Sequence, residues 1–98
     1  MAEFLAELYV ARGDGAAARR RARRARLAAE ELQREGTEVR YLRSIHVPED
    51  ETCFVLYEAA SAAAVREVMK RSAVQYERVA EVASWQETPT PGEPEEMT

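Results

Sequence analysis

A long segment from Ala16 to Glu35 consists almost entirely of strong helix formers. Its small apolar residues recur at spacings of four, three, four and three, which places them along one side of a helix. They are Ala18, Ala22, Ala25, Ala29 and Leu32. Asp14 or Gly15 is suited to start the helix, and Gly36 is suited to end it. Because the stripe is mostly alanine, we expect an amphipathic helix that packs close against a sheet.

Segments typical of β-strands lie on both sides of this helix. They run over residues 4–10, 37–47, 52–58 and 78–85, with a polar turn at residues 48–51. A second helix is predicted over residues 62–71, with Ser61 as its N-cap and with the buried stripe Ala64, Val65, Val68 and Met69. The order βαββαβ predicts an α+β, ferredoxin-like fold with a four-stranded antiparallel sheet.

In this fold both helices cover the same face of the sheet, and the other face is left bare. A chain of 98 residues builds only a small core, so burial of the bare face against a second copy would add stability. We therefore predict a homodimer in the form of a dimeric α+β barrel. The domain is expected to span residues 1–85. The acidic, proline-containing residues 86–98 are expected to be a disordered tail.

The alternation of residues also predicts which side of the sheet each side chain faces. In the first strand, Phe4 and Leu8 are expected to face the helices, and Glu7 and Tyr9 the opposite side. In the second strand, one set of alternating positions is Val39, Tyr41, Ile45 and Val47, and the other is Leu42, Ser44 and His46.

Several short segments resemble a family of small bacterial ferredoxin-like domains of largely unassigned function. They are Phe4-Leu5-Ala6-Glu7, Val39-Arg40-Tyr41-Leu42-Arg43-Ser44, Leu56-Tyr57-Glu58-Ala59 followed by Ser61, Val65-Arg66-Glu67, and Arg78-Val79-Ala80-Glu81-Val82. The resemblance implies the barrel architecture. Because one branch of this family is described as nickel-binding, it also implies nickel as the candidate cofactor; the residues by themselves suggest no cofactor.

Three side chains are candidate catalytic groups. Glu7 and Glu58 lie on neighbouring strands and are expected to face the enclosed space, where two close carboxylates could share a proton and act as acid and base. His46 is the single histidine and could shuttle a proton or bind a metal with Glu58. The alternatives are carboxylates paired with arginine at the rim and a solvated histidine at a strand end.

The candidate small-molecule-binding residues are mainly aromatic, with Tyr9 preferred because it shares the side of Glu7. They are Tyr9, Tyr41, Ser44, Met69 and Trp85. Packing in the core or in an interface is the alternative role for these side chains.

Charge and composition exclude several classes of protein. The net charge of −4 argues against a nucleic-acid-binding protein, although residues 11–43 contain ten arginines and five acids. No apolar run is long enough to cross a membrane, and the first residues lack a secretory signal, so we expect a cytoplasmic protein. Cys53 is the single cysteine, which excludes an internal disulfide and a multi-cysteine metal site.

Two functions remain open on these grounds. One is a small-molecule-binding barrel, in particular a cofactor-independent acid/base cyclase or isomerase of bacterial secondary metabolism. The other is a nickel- or metal-binding protein without catalysis. The sequence does not decide whether the chain is an enzyme.

Overall fold

The computed structural model of the protein describes residues 1–85 and residue 87. The regular elements are β1 (Ala2–Tyr9), α1 (Gly15–Arg34), β2 (Val39–Val47), β3 (Thr52–Ala59), α2 (Ala62–Ser72) and β4 (Arg78–Val82). A 3-10 turn, Pro48–Asp50, joins β2 to β3. The predicted βαββαβ order is confirmed, although β4 ends at Val82 rather than at Trp85. The predicted tail falls outside the described residues, Glu87 excepted.

The four strands form one antiparallel sheet in the order β2-β3-β1-β4. α1 packs mainly over β2 and against α2, while α2 covers β1, β3 and β4 from the same side. This arrangement is the ferredoxin-like α+β fold. Within residues 1–85, β2 and β4 are the two sheet edges, and one face of the sheet carries no helix.

The core lies between the sheet and the helices. Phe4, Ala6 and Leu8 of β1 face the helices, as do alternate residues of β3 from Cys53 to Ala59. The alanine stripe of α1 is buried as predicted, except that Ala22 is half-buried. The helix therefore approaches the sheet at the short distance that methyl side chains allow.

The helix ends follow the predicted capping residues. Asp14 Oδ1 accepts a hydrogen bond from the Ala17 N–H over 3.1 Å, and Ser61 Oγ accepts one from the Ala64 N–H over 3.3 Å. At the end of α1, Gly36 has a φ of +101°, and the Thr37 N–H donates to the Leu32 carbonyl. This is the Schellman arrangement, in which glycine relieves the strain of a positive φ.

A β-bulge at Leu42 corrects the expected faces of β2. Tyr41 pairs with Tyr57, but the next paired residue is Arg43, opposite Leu56, so Leu42 is extra. The alternation therefore reverses after Leu42. Ile45 and Val47 lie on the helix-free face, not on the side of Val39 and Tyr41 as the alternation predicted. Ser44 and His46 lie on the helix side of the sheet.

No helix within residues 1–85 is both long enough and apolar enough to span a bilayer.

Candidate functional site

The helix-free face of the sheet carries a continuous apolar strip. Side chains of the three strands β1, β2 and β3 contribute to it: Leu5, Ile45, Val47, Phe54 and Leu56. Ile45 is 41% exposed, whereas Leu56, near the middle, is only 7% exposed. An apolar strip on a sheet face without helices in residues 1–85 is typical of a surface that binds a partner or a ligand.

Both predicted catalytic carboxylates lie on this face, and each is paired with an arginine of an edge strand. Glu7 Oε1 accepts a hydrogen bond from Arg78 Nε of β4 over 3.0 Å. Glu58 Oε1 accepts one from Arg40 Nη2 of β2 over 2.8 Å. The two ion pairs stand on opposite sides of the apolar strip.

The expectation that these two carboxylates lie close together is wrong within one chain. In the register of β1 and β3, Glu7 is opposite Phe54, and Glu58 is opposite Glu3. Four residues along β3 therefore separate them, a distance of ~13 Å. A single chain does not form a proton-sharing pair from Glu7 and Glu58.

His46 lies on the other side of the sheet from both carboxylates, because it follows the bulge in β2. It is opposite Cys53, so the expected cooperation of His46 with Glu58 is excluded within one chain. Its Nε2 atom is buried and has no hydrogen-bond partner among the described residues. A cavity of about 270 Å³ next to it is lined by Gly15, Ala18, Arg19, Ala22, Ser44, His46 and Cys53.

The donor atoms around His46 do not make a metal site within one chain. Burial raises the pKa of the Cys53 thiol, and the positive charge of Arg21 only partly opposes this effect. A raised pKa disfavours the thiolate that binds metals. Residues 1–85 contain no cluster of three or more histidine, cysteine or acidic side chains that could hold a metal ion. The residues present therefore do not fit nickel without further ligands.

The five predicted small-molecule-binding residues are distributed over three places. The Tyr41 hydroxyl and Ser44 Oγ share a 2.8 Å hydrogen bond beside the bulge. Trp85 is 79% exposed beyond the end of β4. Only Tyr9 and Met69 line the same cavity, and it is not the helix-free face.

This cavity is a cleft between α2 and the segment 73–77, with a volume of about 890 Å³. Three cationic side chains line it, together with two acids and two phenols: Arg21, Arg66, Lys70, Glu67, Glu77, Tyr9 and Tyr76. Met69 and Val74 contribute apolar surface and are almost fully buried. Arg66 and Lys70 were not among the predicted binding residues, although their spacing of four on the exposed face of α2 was an available signal.

The chain matches the model of one protein family over residues 9–82, and the family is described as "Nickel responsive protein SCO4226-like". Among solved structures, the crystal structure of SCO4226 from Streptomyces coelicolor A3(2) is similar, with a TM-score of 0.67 and 25% sequence identity. The similarity covers 87% of this chain and 100% of that one. No protein with a curated description matches the chain.

Proposed function

The chain belongs to the SCO4226-like family of nickel responsive proteins, and on this premise we propose that it is a small-molecule-binding protein that works as a homodimer. The two helix-free sheet faces pack together and close an α+β barrel around the ligand. The observation that carries the proposal is the apolar strip on that face, which no helix within residues 1–85 covers.

The size of the chain supports this assembly. In this chain of 98 residues, the helices within residues 1–85 form one layer on one face of the sheet, and a second copy would supply apolar cover for the other face. In a two-fold interface, each subunit contributes the same surface, which must be complementary to itself. Pairing of the two helix-free faces meets this requirement. The ion pairs of Glu7 with Arg78 and of Glu58 with Arg40 flank the strip, as polar residues flank the apolar centre of protein interfaces.

Replacement of Ile45 by arginine tests the dimer. Ile45 is 41% exposed on the helix-free face, so a monomer can fold with a charged side chain at this position. Burial of that charge against a second copy would be unfavourable. The matched control is Leu27→Arg, since Leu27 is 45% exposed on the solvent side of α1. Sedimentation velocity is expected to give a dimer for the unchanged protein and for Leu27→Arg, and a monomer for Ile45→Arg. A monomeric unchanged protein, or a dimeric Ile45→Arg variant, contradicts the proposal.

The specific reaction we propose is cofactor-independent acid/base catalysis, as in a cyclase or isomerase. Since His46 faces the helices, the proton transfer falls to Glu7 or Glu58, each at the border of the apolar strip. With a substrate that the protein turns over, Glu7→Gln or Glu58→Gln should reduce turnover by about 10²-fold or more. Glu81→Gln, an exposed change on β4, is the control, and unchanged turnover in both test variants dismisses the two carboxylates.

Nickel binding without catalysis is the second candidate function, and the family description favours it. His46 Nε2, buried without a partner in residues 1–85, is the most suitable ligand atom, and the further ligands would have to come from outside these residues. Calorimetric titration with nickel and zinc tests this function. Stoichiometric binding that His46→Ala abolishes would support it in place of the barrel ligand. The absence of binding by the unchanged dimer would exclude it.

A further inference from the structure

We propose that the cleft between α2 and segment 73–77 is a binding site for a small organic carboxylate that carries an apolar or aromatic group. This site is separate from the helix-free face, and the proposal does not rest on the dimer. The apolar group lies against Met69 and Val74, and the carboxylate is held by Arg66 and Lys70.

The size and floor of the cleft suit such a ligand. Its volume of about 890 Å³ falls within the range of small-molecule pockets, roughly 300–1,000 Å³. Met69 is 1% exposed and Val74 is 5% exposed, yet both line the cleft and so form its apolar base. Tyr76 also lines the cleft, and a phenol ring there suits an aromatic ligand.

The charges of the cleft favour an anion. Three cations, Arg21, Arg66 and Lys70, face two acids, Glu67 and Glu77, which leaves a balance of +1. The side chains of Arg66 and Lys70 form no ion pair or hydrogen bond with any residue that the structure describes, so their donors are open to a ligand. A guanidinium and an ammonium at this spacing bind a carboxylate through charge-assisted hydrogen bonds.

Arg21 has a different role, because its position is already fixed. Its Nη1 donates a 2.6 Å hydrogen bond to the Tyr9 carbonyl, which ties α1 to the end of β1. Its charge adds to the positive potential, but direct contact with the ligand falls to the two cations of α2. The nearby phenol of Tyr9 donates to Glu51 Oε2 over 3.2 Å, and the charge of Glu51 raises the pKa of Tyr9. The phenol therefore stays neutral and does not repel an anion.

The C-terminus of α2 disfavours a bound anion, since the exposed carbonyl groups there carry partial negative charge. Lys70 lies in the last turn and offsets this charge. Arg66 lies one turn earlier, away from the helix end. This geometry favours a carboxylate placed toward Arg66 and an apolar group placed toward Val74.

The probe for the site is 1-naphthoate, with the neutral 1-naphthamide and inorganic phosphate as comparisons. Binding to the full chain is measured by isothermal titration calorimetry. We expect naphthoate to bind, and naphthamide and phosphate each to bind about tenfold or more weakly, because charge-assisted hydrogen bonds and apolar burial each contribute at least that factor. Phosphate that binds as tightly as naphthoate would show that the apolar base is not used and would overturn the proposal.

The double variant Arg66→Gln, Lys70→Gln locates the site. It removes the two open cations and should weaken naphthoate binding by about tenfold or more. The matched control is Arg20→Gln, Arg23→Gln, which removes the same charge from the exposed face of α1 and should leave binding unchanged. Equal loss in both double variants would show only bulk electrostatic attraction. If the double variant Arg66→Gln, Lys70→Gln binds naphthoate as tightly as the unchanged protein does, naphthoate binds elsewhere, for example on the helix-free face. Either result, or no binding at millimolar naphthoate, overturns the proposal.

Discussion

The hydroxyl groups of Tyr41 and Tyr57 lie in contrasting environments, although the two rings pack edge to face. The ring centroids are 6.1 Å apart with an interplanar angle of 75°. Tyr41 shares a 2.8 Å hydrogen bond with Ser44 Oγ, whereas the buried Tyr57 hydroxyl has no partner among the described residues. Burial also raises the pKa of Tyr57 strongly, so the group stays a neutral hydroxyl. A buried donor without a partner carries a desolvation cost of about 1–3 kcal/mol.

Removal of the Tyr57 hydroxyl should therefore not lower the free energy of unfolding, whereas removal of the Tyr41 hydroxyl should lower it. Tyr57→Phe keeps the ring and removes an unpaired polar group, so we expect unchanged or higher stability, by up to about 1 kcal/mol. Tyr41→Phe removes a formed hydrogen bond and should cost about 1 kcal/mol. Urea denaturation followed by circular dichroism measures both values. A clear loss of stability in Tyr57→Phe would show that its hydroxyl has a partner.

Ala73 ends α2 in the left-handed conformation, with a φ of +55°. An alanine pays a steric cost there that glycine does not, whereas glycine adds entropy to the unfolded chain. We expect Ala73→Gly to stabilise the protein by about 0.5–1 kcal/mol in thermal or urea denaturation. Ala22→Gly, inside α1, is the comparison and should destabilise by about 1 kcal/mol. Two losses of equal size would contradict the strain at Ala73.

At the scale of elements, one arginine links the two helices. Arg71 of α2 donates to Glu31 over 2.7 Å and to Glu35 over 2.6 Å, both at the end of α1. The hydrogen bonds from Arg71 to Glu35 hold the pKa of the Glu35 carboxyl below its ordinary value of 4.5. This ion-pair link between the helices therefore depends on an ionised carboxylate.

This link predicts a pH dependence of stability. A carboxyl whose pKa is lower in the folded than in the unfolded state stabilises the fold above the unfolded pKa, and this contribution is lost as the pH falls through the folded pKa. The unchanged protein should be more stable than Glu35→Gln at neutral pH, and the difference should shrink as the pH falls below the ordinary carboxyl pKa of 4.5 and vanish below the folded pKa. Urea denaturation over a pH series measures it. The control is Glu67→Gln, which removes a carboxylate without an ion pair in residues 1–85 and should differ less in stability from the unchanged protein. A stability difference between the unchanged protein and Glu35→Gln that persists in acid would refute the role of Glu35.

Most elements could be predicted from the sequence because their signals are local. Asp14, Gly36 and Ser61 mark the helix ends through hydrogen bonds to neighbouring residues. The face of each residue in β2 could not be predicted, because the bulge at Leu42 depends on pairing with β3, which is distant in sequence. Simple alternation therefore placed Ile45 and His46 on the wrong sides of the sheet.

At the scale of the molecule, the proposed dimer predicts that thermal stability depends on protein concentration. A partner that binds only the folded state raises the melting temperature by mass action. We expect the melting temperature of the unchanged protein to rise between micromolar and hundreds of micromolar concentration, as measured by calorimetry. The melting temperature of Ile45→Arg should not change with concentration. A constant melting temperature in both would be evidence against a folded dimer in equilibrium with its monomer.

The candidate sites were harder to predict than the fold, since they combine distant residues. The cleft brings Tyr9 of β1 and Arg21 of α1 together with Arg66, Lys70 and Tyr76. No spacing in the sequence reveals that set. Glu7 and Glu58 were correctly assigned to one face, but their separation follows from the register of β1 and β3, which alternation alone does not determine.

The buried alanines of α1 have a consequence for how this fold varies among its relatives. Ala25 and Ala29 are at most 1% exposed, so a larger residue at either position has no free volume and must push the entire helix outward. Such a shift would also carry Arg21 and Arg24, which donate to the Tyr9 and Ser72 carbonyls, away from their acceptors. Divergence on this side of the molecule is therefore expected to occur through compensated exchanges of side-chain volume between helix and sheet, while exposed arginines such as Arg20 and Arg23 change more freely.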